Sequence, residues 1–476
     1  METEKTSYYF ETYGCQMNFA ESDALKITLN DRGWSETDNV ENALLLVINT
    51  CSVRETAERR VFGRLAHYTA LKKERRRRQN PLFVLVCGCM ASRLGGKLIK
   101  NGADFVMETQ NNSIFTGILE KIEAIRNESR TPQSTLQTIL QSSPHKTLSN
   151  ETLHDEDPDK TLYNKNSRHF SFAPIHHKEG SFRAFVPIMH GCDNFCSYCI
   201  VPYTRGREIC RDPAEIVAEI KTLADRGVRE ITLLGQNVNS YINGKIDFPA
   251  LLEIIARETE GTTIKRARFL SSHPKDLSLR TIQVMAKHPV FCRHLHLCVQ
   301  HGSNRILSAM NRRYTRESFI ELTAAIRAAM PEITLSTDIL VGFPGETEED
   351  FEEALTLMER IRFLYSYMYH YNPREGTAAF DLPERVPPEI KTSRLKRVID
   401  LQMRHTAELL QSRIGDSEKA LVDGISHKNS KELVCRTEHD EMIVAEGDTS
   451  LIGTIAAIQI DGLSGNTLRG HFIKDI

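Results

Sequence analysis

Residues 189–199 of this 476-residue chain read Met-His-Gly-Cys-Asp-Asn-Phe-Cys-Ser-Tyr-Cys, which places Cys192, Cys196 and Cys199 on one short polar stretch. Three Cys thiolates can bind three irons of a [4Fe–4S] cluster and leave the fourth iron open to a cofactor or substrate. A structural zinc site usually needs four closed ligands, and no fourth Cys or His lies at the spacing of a zinc finger. We therefore predict an iron–sulfur cluster here, with a zinc site or three buried thiols as the alternatives.

The cysteine stretch follows the first of six segments with the apolar pattern of strands. These segments are residues 182–189, 230–234, 268–271, 294–299, 334–341 and 365–370. Helical patterns separate them; Asp212-Pro213 begins one that Gly227 ends, and another covers residues 347–360. Alternating strands and helices indicate an α/β fold with a parallel sheet, and six such units suit a partial (βα)6 barrel. The loops at the carboxyl ends of the strands are then expected to carry the chemistry.

Three further cysteines each follow a strand-like segment near the N-terminus. Cys15 follows residues 7–13, Cys51 follows residues 44–48 and Cys89 follows residues 82–86. Helical patterns at residues 18–32 and 53–73 lie between them, so all three cysteines should meet at the carboxyl edge of one parallel sheet. We predict that they bind a second [4Fe–4S] cluster, with buried core thiols as the alternative. Cys87 continues an apolar run and is predicted to lie in the core.

Length and composition agree with a multi-domain soluble enzyme, and a cytoplasmic location is expected. A chain of 476 residues normally divides into two or three domains. No apolar run approaches the length of a membrane span, and the N-terminus lacks a signal-peptide pattern, so no membrane partner is expected. Eleven cysteines in such a chain indicate metal or redox chemistry rather than disulfides.

The C-terminal half of the chain ends in a different pattern from the six strand–helix units. Beyond residue 412, five short strand-like segments separated by Gly and Asp turns predict a small antiparallel β-barrel. The segments are residues 420–422, 433–436, 442–445, 455–460 and 468–473. Residues 127–177 are polar with no apolar periodicity and are predicted to be a flexible linker. The predicted domains are thus residues 6–126, 178–411 and 412–476, with this linker after the first.

Six motifs resemble those of the methylthiotransferases, a family of radical S-adenosylmethionine (SAM) enzymes. They are residues 12–18, 49–55, 88–91, 191–208, 233–241 and 338–347. The resemblance covers nearly the whole chain and favours the branch of the family that modifies isopentenyladenosine in tRNA. It implies a flavodoxin-like N-terminal domain, a radical SAM core on the partial barrel and a C-terminal TRAM domain, which is a tRNA-binding β-barrel.

The resemblance also implies the reaction, in which a methylthio group is added to carbon 2 of N6-isopentenyladenosine beside the anticodon. Two SAM molecules are used; the cluster of Cys192, Cys196 and Cys199 cleaves SAM, and the cluster of Cys15, Cys51 and Cys89 carries the sulfur. No acid–base pair is needed. The implied partners are tRNA and a reducing electron donor such as flavodoxin or ferredoxin, and the protein is expected to be a monomer.

Two other functions remain open from the sequence. One is a sister methylthiotransferase that acts on threonylcarbamoyl-adenosine in tRNA or on an aspartate of a ribosomal protein. The other is a non-catalytic iron–sulfur regulator that binds RNA, which the six-unit barrel disfavours.

The resemblance implies five SAM contacts on the barrel loops. Tyr198 is expected at the adenine, Gly235 and Gln236 near the amino group, and Gln300 and Asp338 at the ribose or methionine. The family usually has Pro where this chain has Cys298 and Ser where it has His301. Four cysteines outside both sets are predicted to be structural, namely Cys210, Cys292, Cys298 and Cys435.

Basic residues give two candidate surfaces for tRNA phosphates. Residues 413–476 contain seven Lys and Arg against eleven Asp and Glu, so the C-terminal barrel as a whole is a poor phosphate binder. A local face of that barrel is one candidate, made of Lys428, Lys431, Arg436 and Arg469. The basic run at residues 72–78 is the other, with a solvated helix end as its alternative.

Overall fold

The computed structural model describes residues 6–52, 55–78, 80–108, 112–128 and 180–474. They form two compact units, which alternate along the chain. Within the described ranges, the first unit contains the residues up to 128 with residues 190–193 and 200–209, and the second contains residues 180–189, 194–199 and 210–474. The predicted linker lies outside the described residues from residue 129 onward, and the domain boundaries stay a prediction.

The first unit is built on a five-stranded parallel sheet. Its strands are β1 (Ser7–Tyr13), β2 (Ser35–Glu36), β3 (Leu45–Thr50), β4 (Phe83–Gly88) and β5 (Phe105–Met107). Their spatial order is β2-β1-β3-β4-β5, which is the doubly wound order of flavodoxin-like folds. The predicted parallel sheet is thus confirmed, with two short edge strands that the sequence did not predict.

Helices cover both faces of this sheet. They are α1 (Gln16–Asp31), α2 (Glu55–Arg77), α3 (Cys89–Lys100) and α4 (Asn112–Glu128), and the short α5 (Val201–Arg205) also belongs to the first unit. Leu45 and Val47 pack with residues of α1 and α4, whereas Leu46 and Ile48 pack with residues of α2 and α3. Because both faces of β3 are buried, its sequence is an unbroken apolar run rather than an alternating one.

Six parallel strands form the centre of the second unit. The strands from residue 183 to residue 370 are β6 (Arg183–Pro187), β7 (Met189–His190), β8 (Ile209–Cys210), β9 (Glu230–Leu234), β10 (Ile242–Asn243), β11 (Ile246–Asp247), β12 (Arg266–Phe269), β13 (His294–His296), β14 (Thr334–Val341) and β15 (Tyr365–His370). β6, β9 and β12 pair in parallel, as do β13, β14 and β15. Parallel bridges from Ala267 to Phe291 and from Ser272 to Leu297 connect the two sets in chain order. This order is that of a partial (βα)6 barrel.

Seven helices connect or follow these strands. They are α6 (Pro213–Asp225), α7 (Phe248–Thr259), α8 (Leu279–Lys287), α9 (Asn304–Ala309), α10 (Arg316–Ala329), α11 (Glu348–Ile361) and α12 (Pro388–Gln411). The predicted start of α6 is confirmed, since the Asp212 carboxylate accepts a hydrogen bond from the Ala214 N–H at 2.7 Å. Within the described ranges, no helix combines the length and apolar character that a bilayer crossing requires.

Five strands near the C-terminus close into a small barrel. They are β16 (Ser417–Ile425), β17 (Glu432–Thr437), β18 (Met442–Glu446), β19 (Ile455–Ser464) and β20 (Thr467–Phe472), in the ring order β16-β17-β18-β20-β19. The prediction of a wholly antiparallel barrel is wrong, because β18 and β20 pair in parallel. An odd number of strands in a closed ring cannot alternate in direction throughout, so one parallel pair is unavoidable. Cys435 lies in the apolar core of this barrel, as predicted.

Charged side chains attach this barrel to the amino ends of the six parallel strands. Glu230, at the start of β9, pairs with Arg268 at 3.0 Å and also with Arg436 of β17. Arg268 donates a further hydrogen bond to the Thr437 carbonyl at 2.6 Å. Arg436 is therefore a structural residue rather than the predicted RNA contact. Arg469 is also engaged, in an ion pair with Glu432 at 2.6 Å.

Candidate functional site

The structure brings Cys15, Cys51 and Cys89 to the same edge of the first unit's sheet. Tyr13 lies opposite Thr50, and Thr50 lies opposite Gly88 in the register of β1, β3 and β4. Cys51 and Cys89 are therefore the next residues on adjacent strands, and Cys15 follows two residues after the end of β1. The predicted convergence at the carboxyl edge follows directly from this parallel register.

Two glycines allow the cysteine loops to approach one another. A Cβ on Gly14 would lie 2.2 Å from the Asn18 Oδ1 and 2.9 Å from the Cys51 Cβ. Gly88 has a φ of 93°, and a Cβ there would lie 2.3 Å from the Thr50 carbonyl oxygen. The left-handed backbone and the close contact both require glycine at position 88.

A buried amide network fixes the loops of Cys15 and Cys51. The Asn18 side chain donates to the Asn49 Oδ1 and to the Thr50 carbonyl, both at 3.1 Å, and accepts from the Cys15 N–H at 3.2 Å. Asn49 in turn donates to the Asn18 carbonyl at 2.9 Å. Because both amides are almost fully buried and hydrogen bonded, they hold the two loops in one arrangement.

Arg205 supplies positive charge beside these thiols. Its Nε donates to the Cys89 Sγ at 3.1 Å, and its Nη1 pairs with the Glu21 Oε1 at 2.6 Å. Both charged side chains are only 3% exposed, so solvent screens their interactions weakly. A hydrogen bond with Cys51, together with the Arg205 charge, lowers the pKa of Cys15 to about 6, against a smaller opposing effect of desolvation. Three thiols beside a buried cation form a soft, anionic donor set that fits an iron–sulfur cluster.

Cys87 is not part of this set. It packs in the apolar cluster that contains Val47 and Leu85, and burial raises the pKa of its thiol. The prediction that Cys87 belongs to the core is therefore confirmed.

The CxxxCxxC stretch is held by hydrogen bonds within each unit. In the first unit, the Cys192 N–H donates to the Gly206 carbonyl at 3.2 Å. In the second unit, the Cys199 N–H donates to the Cys196 carbonyl at 2.9 Å, which closes a tight turn between these two cysteines. Arg312 donates through its Nη1 to the Cys196 Sγ at 3.3 Å.

The segment that follows α9 anchors this turn. The Ser197 N–H donates to the Met310 carbonyl at 3.0 Å, and the Asn311 side chain donates to the Phe195 carbonyl at 2.9 Å. Phe195 has a φ of 47°, a left-handed conformation that is uncommon for a residue other than glycine. The backbone around Cys196 is thus held by contacts from another part of the same unit.

The five predicted SAM contacts lie on several loops of the second unit. Gln300 donates to Asp338 through both its side chain, at 3.3 Å, and its backbone N–H, at 2.9 Å. Tyr198 packs against an apolar cluster that contains Met310 and Phe343. Gly235 and Gln236 directly follow β9. Gln300 and Asp338 are thus hydrogen bonded to each other. The assignment of all five residues to SAM binding stays a prediction.

Comparisons with known proteins identify the family. Residues 186–358 match the Radical SAM superfamily, and residues 7–108 match the family described as Uncharacterized protein family UPF0004. A Treponema denticola protein named tRNA-2-methylthio-N(6)-dimethylallyladenosine synthase is 45% identical to this chain, covering 98% of this chain and 99% of that protein. The chain belongs to this synthase family. Proteins of the same name from Thermoanaerobacter sp. (strain X514) and Phocaeicola vulgatus are 40% and 38% identical, over 98% and 99% of this chain and 93% and 96% of their own lengths.

A solved radical SAM enzyme shares the fold of this synthase-family chain. The radical S-adenosylmethionine methyltransferase TsrM from Kitasatospora setae, whose structure contains cobalamin and a [4Fe–4S] cluster, aligns with a TM-score of 0.58. The two chains are 16% identical, and the alignment covers 79% of this chain and 74% of TsrM. At this level of identity the similarity supports the α/β fold alone.

Sequence analysis of this synthase-family chain gave no functional role to three residues that the structure places beside predicted site residues. Arg205 and Arg312 contact cysteines of the two sets, and Cys298, predicted to be structural, lies beside His296 and Asp338. Arg205 stands within the motif of residues 191–208 but received no role there. The signal for Cys298 was its departure from the Pro that the family usually has at that position.

Proposed function

We propose that this chain methylthiolates carbon 2 of N6-isopentenyladenosine beside the anticodon of tRNA, with SAM and two [4Fe–4S] clusters as cofactors. The observation that carries the proposal is the match, at 38–45% identity over 98–99% of this chain, to relatives whose names state this product. Six cysteines in two sets of three add support, because each set fits a cluster with one open iron.

We assign Cys192, Cys196 and Cys199 to the cluster that binds SAM. When bound, this cluster supplies the electron that cleaves SAM to methionine and a 5′-deoxyadenosyl radical. Arg312 stabilises the negative charge of the Cys196 thiolate, and the hydrogen bonds of Ser197 fix the turn between Cys196 and Cys199. Tyr198, Gly235, Gln236, Gln300 and Asp338 are the residues proposed to hold SAM itself.

We assign Cys15, Cys51 and Cys89 to the auxiliary cluster from which sulfur is delivered. Arg205 balances part of the negative charge of three thiolates, and Glu21 keeps the guanidinium oriented toward Cys89. The amides of Asn18 and Asn49 hold the loops so that little reorganisation is needed when a cluster binds. No acid–base pair has a role in this proposal.

Binding of tRNA must expose carbon 2 of the modified adenine. Turning the base out of its stack costs a few kcal/mol, and less in a single-stranded anticodon loop than in a duplex. The exposed basic residues at the end of α2 are proposed to contact the tRNA backbone, and the C-terminal barrel is proposed to be a TRAM domain. We also propose that the protein is a monomer and that it works in the cytoplasm. Its electron donor is proposed to be a protein such as flavodoxin or ferredoxin.

The function is tested by mass spectrometry of tRNA nucleosides from a strain that lacks this gene. We expect the methylthio group to disappear from isopentenyladenosine alone, leaving the unmodified isopentenyl nucleoside. The wild-type gene should restore the group, and a gene with Cys192→Ala should not. Loss of the methylthio group from threonylcarbamoyl-adenosine instead would assign the chain to the sister activity.

A further inference from the structure

We propose that His296, Cys298 and Asp338 form a binding site for one Zn²⁺ ion, separate from both three-cysteine sets. Each residue offers one ligand atom, and these atoms lie within 4.8 Å of one another. Among the described residues, this is the one group of three or more His, Cys, Asp and Glu side chains with donor atoms this close. The inference concerns metal binding and does not depend on the tRNA reaction.

The spacing of the donor atoms suits a tetrahedral ion. The His296 Nε2 lies 3.5 Å from the Asp338 Oδ2. Nitrogen, oxygen and sulfur ligands about 2.0–2.3 Å from zinc in a tetrahedron are separated from one another by about 3.3–3.7 Å. The observed distance therefore requires little movement of these two side chains when a metal binds.

The backbone holds the three residues at neighbouring positions of two adjacent parallel strands. His296 ends β13, Cys298 follows it, and Asp338 lies in β14, which pairs with β13 in parallel. The Cys298 N–H donates to the Ser272 carbonyl at 3.1 Å, and the Gln300 N–H donates to the Asp338 carbonyl at 2.9 Å. These ladder contacts fix the site on strands rather than on a loose loop.

A second layer of contacts orients the ligands. The Nδ1 of His296 lies 2.8 Å from the Ser336 Oγ, which leaves Nε2 toward Asp338 and available to a metal. A hydrogen bond on one ring nitrogen is the usual way in which a protein orients a His ligand. Gln300 donates to the Asp338 Oδ2 at 3.3 Å and so fixes the carboxylate.

The chemistry of the donor set favours zinc. One thiolate, one imidazole and one carboxylate combine soft and borderline ligands, and their charge of −2 balances that of a divalent ion. Three protein ligands leave a fourth position for water or a bound molecule, as in catalytic zinc sites. His296 is buried, whereas Cys298 and Asp338 are partly exposed, so an ion can reach the site.

The test measures zinc in full-length protein with both clusters reconstituted. Iron is counted in the same sample, so that the six cluster cysteines are known to be occupied by iron. After equilibration with Zn²⁺ and removal of loose metal on a chelating resin, we expect about one zinc per chain. X-ray absorption at the zinc edge should show one sulfur ligand with nitrogen and oxygen ligands.

Two ligand variants and one matched control decide the assignment. Cys298→Ser and Asp338→Asn should each lower zinc retention at least about tenfold with unchanged iron, since each removes a ligand. Cys292→Ser removes a different thiol of the same unit, which is buried, and should retain zinc. Absence of zinc in the wild type, equal zinc in Cys298→Ser, or a zinc edge without sulfur would overturn the proposal. Low iron in the wild type would instead count against the two clusters.

Discussion

At the scale of single residues, buried charge organises the cysteine site of the first unit. Arg205 and Glu21 are each 3% exposed and form a close pair, with Cys89 as the second partner of the guanidinium. Removing one member of a buried pair leaves the other without compensation, whereas replacing both by apolar residues is often close to neutral. Loss of one member should therefore destabilise the protein much more than loss of both.

We predict that Arg205→Met destabilises the first unit by about 3–5 kcal/mol, because it leaves the Glu21 carboxylate buried and unpaired. The double variant Arg205→Met with Glu21→Met should recover most of that loss. Urea unfolding of the cluster-free protein, monitored through a signal from the first unit, measures both changes in the free energy of unfolding. As a control, Arg78→Met breaks an exposed pair with Glu74 and should cost at most about 0.5 kcal/mol. A double variant as unstable as Arg205→Met would contradict this view of the pair.

At the scale of helices and strands, the sequence predicts those elements and convergences that apolar periodicity and parallel topology determine. β9, β14 and β15 have the predicted bounds, and the cysteines after β1, β3 and β4 meet because adjacent parallel strands share one edge. The two-residue strand β2 is too short to have a pattern, and it forms because it pairs with β1.

Sequence periodicity does not predict contacts between residues that are distant along the chain. Arg205 and Cys89 are 116 positions apart, as are Arg312 and Cys196, and no local spacing indicates either contact. The same holds for Cys298, whose partner Asp338 comes from the next parallel strand.

The basic end of α2 shows how the structure refines a prediction from sequence. Arg75 is buried, and its guanidinium donates to the Ala43 carbonyl at 2.7 Å and the Asn80 carbonyl at 3.0 Å. Lys72 is also buried and pairs with Asp104 at 2.6 Å. These two residues are structural, which corrects their assignment to a tRNA surface. Lys73, Arg76, Arg77 and Arg78 are exposed and remain as the candidate contacts.

We predict that changing Arg76, Arg77 and Arg78 to Gln weakens tRNA binding and flattens its salt dependence by about one unit of slope per lost phosphate contact. Titrations at several salt concentrations give the slope. A matched triple variant in the second unit, at the exposed residues Lys245, Lys396 and Arg404, should leave the slope close to that of the wild type. An unchanged slope in the α2 variant would show that this helix end is an ordinary solvated surface that does not contact tRNA phosphates.

At the scale of the whole molecule, two sets of thiols are proposed to carry the chemistry. Cys15, Cys51 and Cys89 all lie at the sheet edge of the first unit, and β6, after which the CxxxCxxC stretch comes, belongs to the second. The C-terminal barrel attaches to the amino ends of the six parallel strands through Glu230 and Arg268. It therefore lies at the opposite ends of these strands from Gln300 and Gly235, which are proposed to bind SAM.

We propose above all that the two cysteine sets hold two clusters with different tasks. The triple variant Cys15→Ala, Cys51→Ala and Cys89→Ala tests this claim when it is assayed for iron, SAM cleavage and methylthiolated tRNA. Iron should fall from about eight to about four per chain. Cleavage of SAM to 5′-deoxyadenosine under strong reductant should continue, and no methylthiolated tRNA should form. Cys87→Ala, which removes a core thiol next to the set, should keep all three properties. Methylthiolated tRNA from the triple variant, or an unchanged iron content, would contradict the claim.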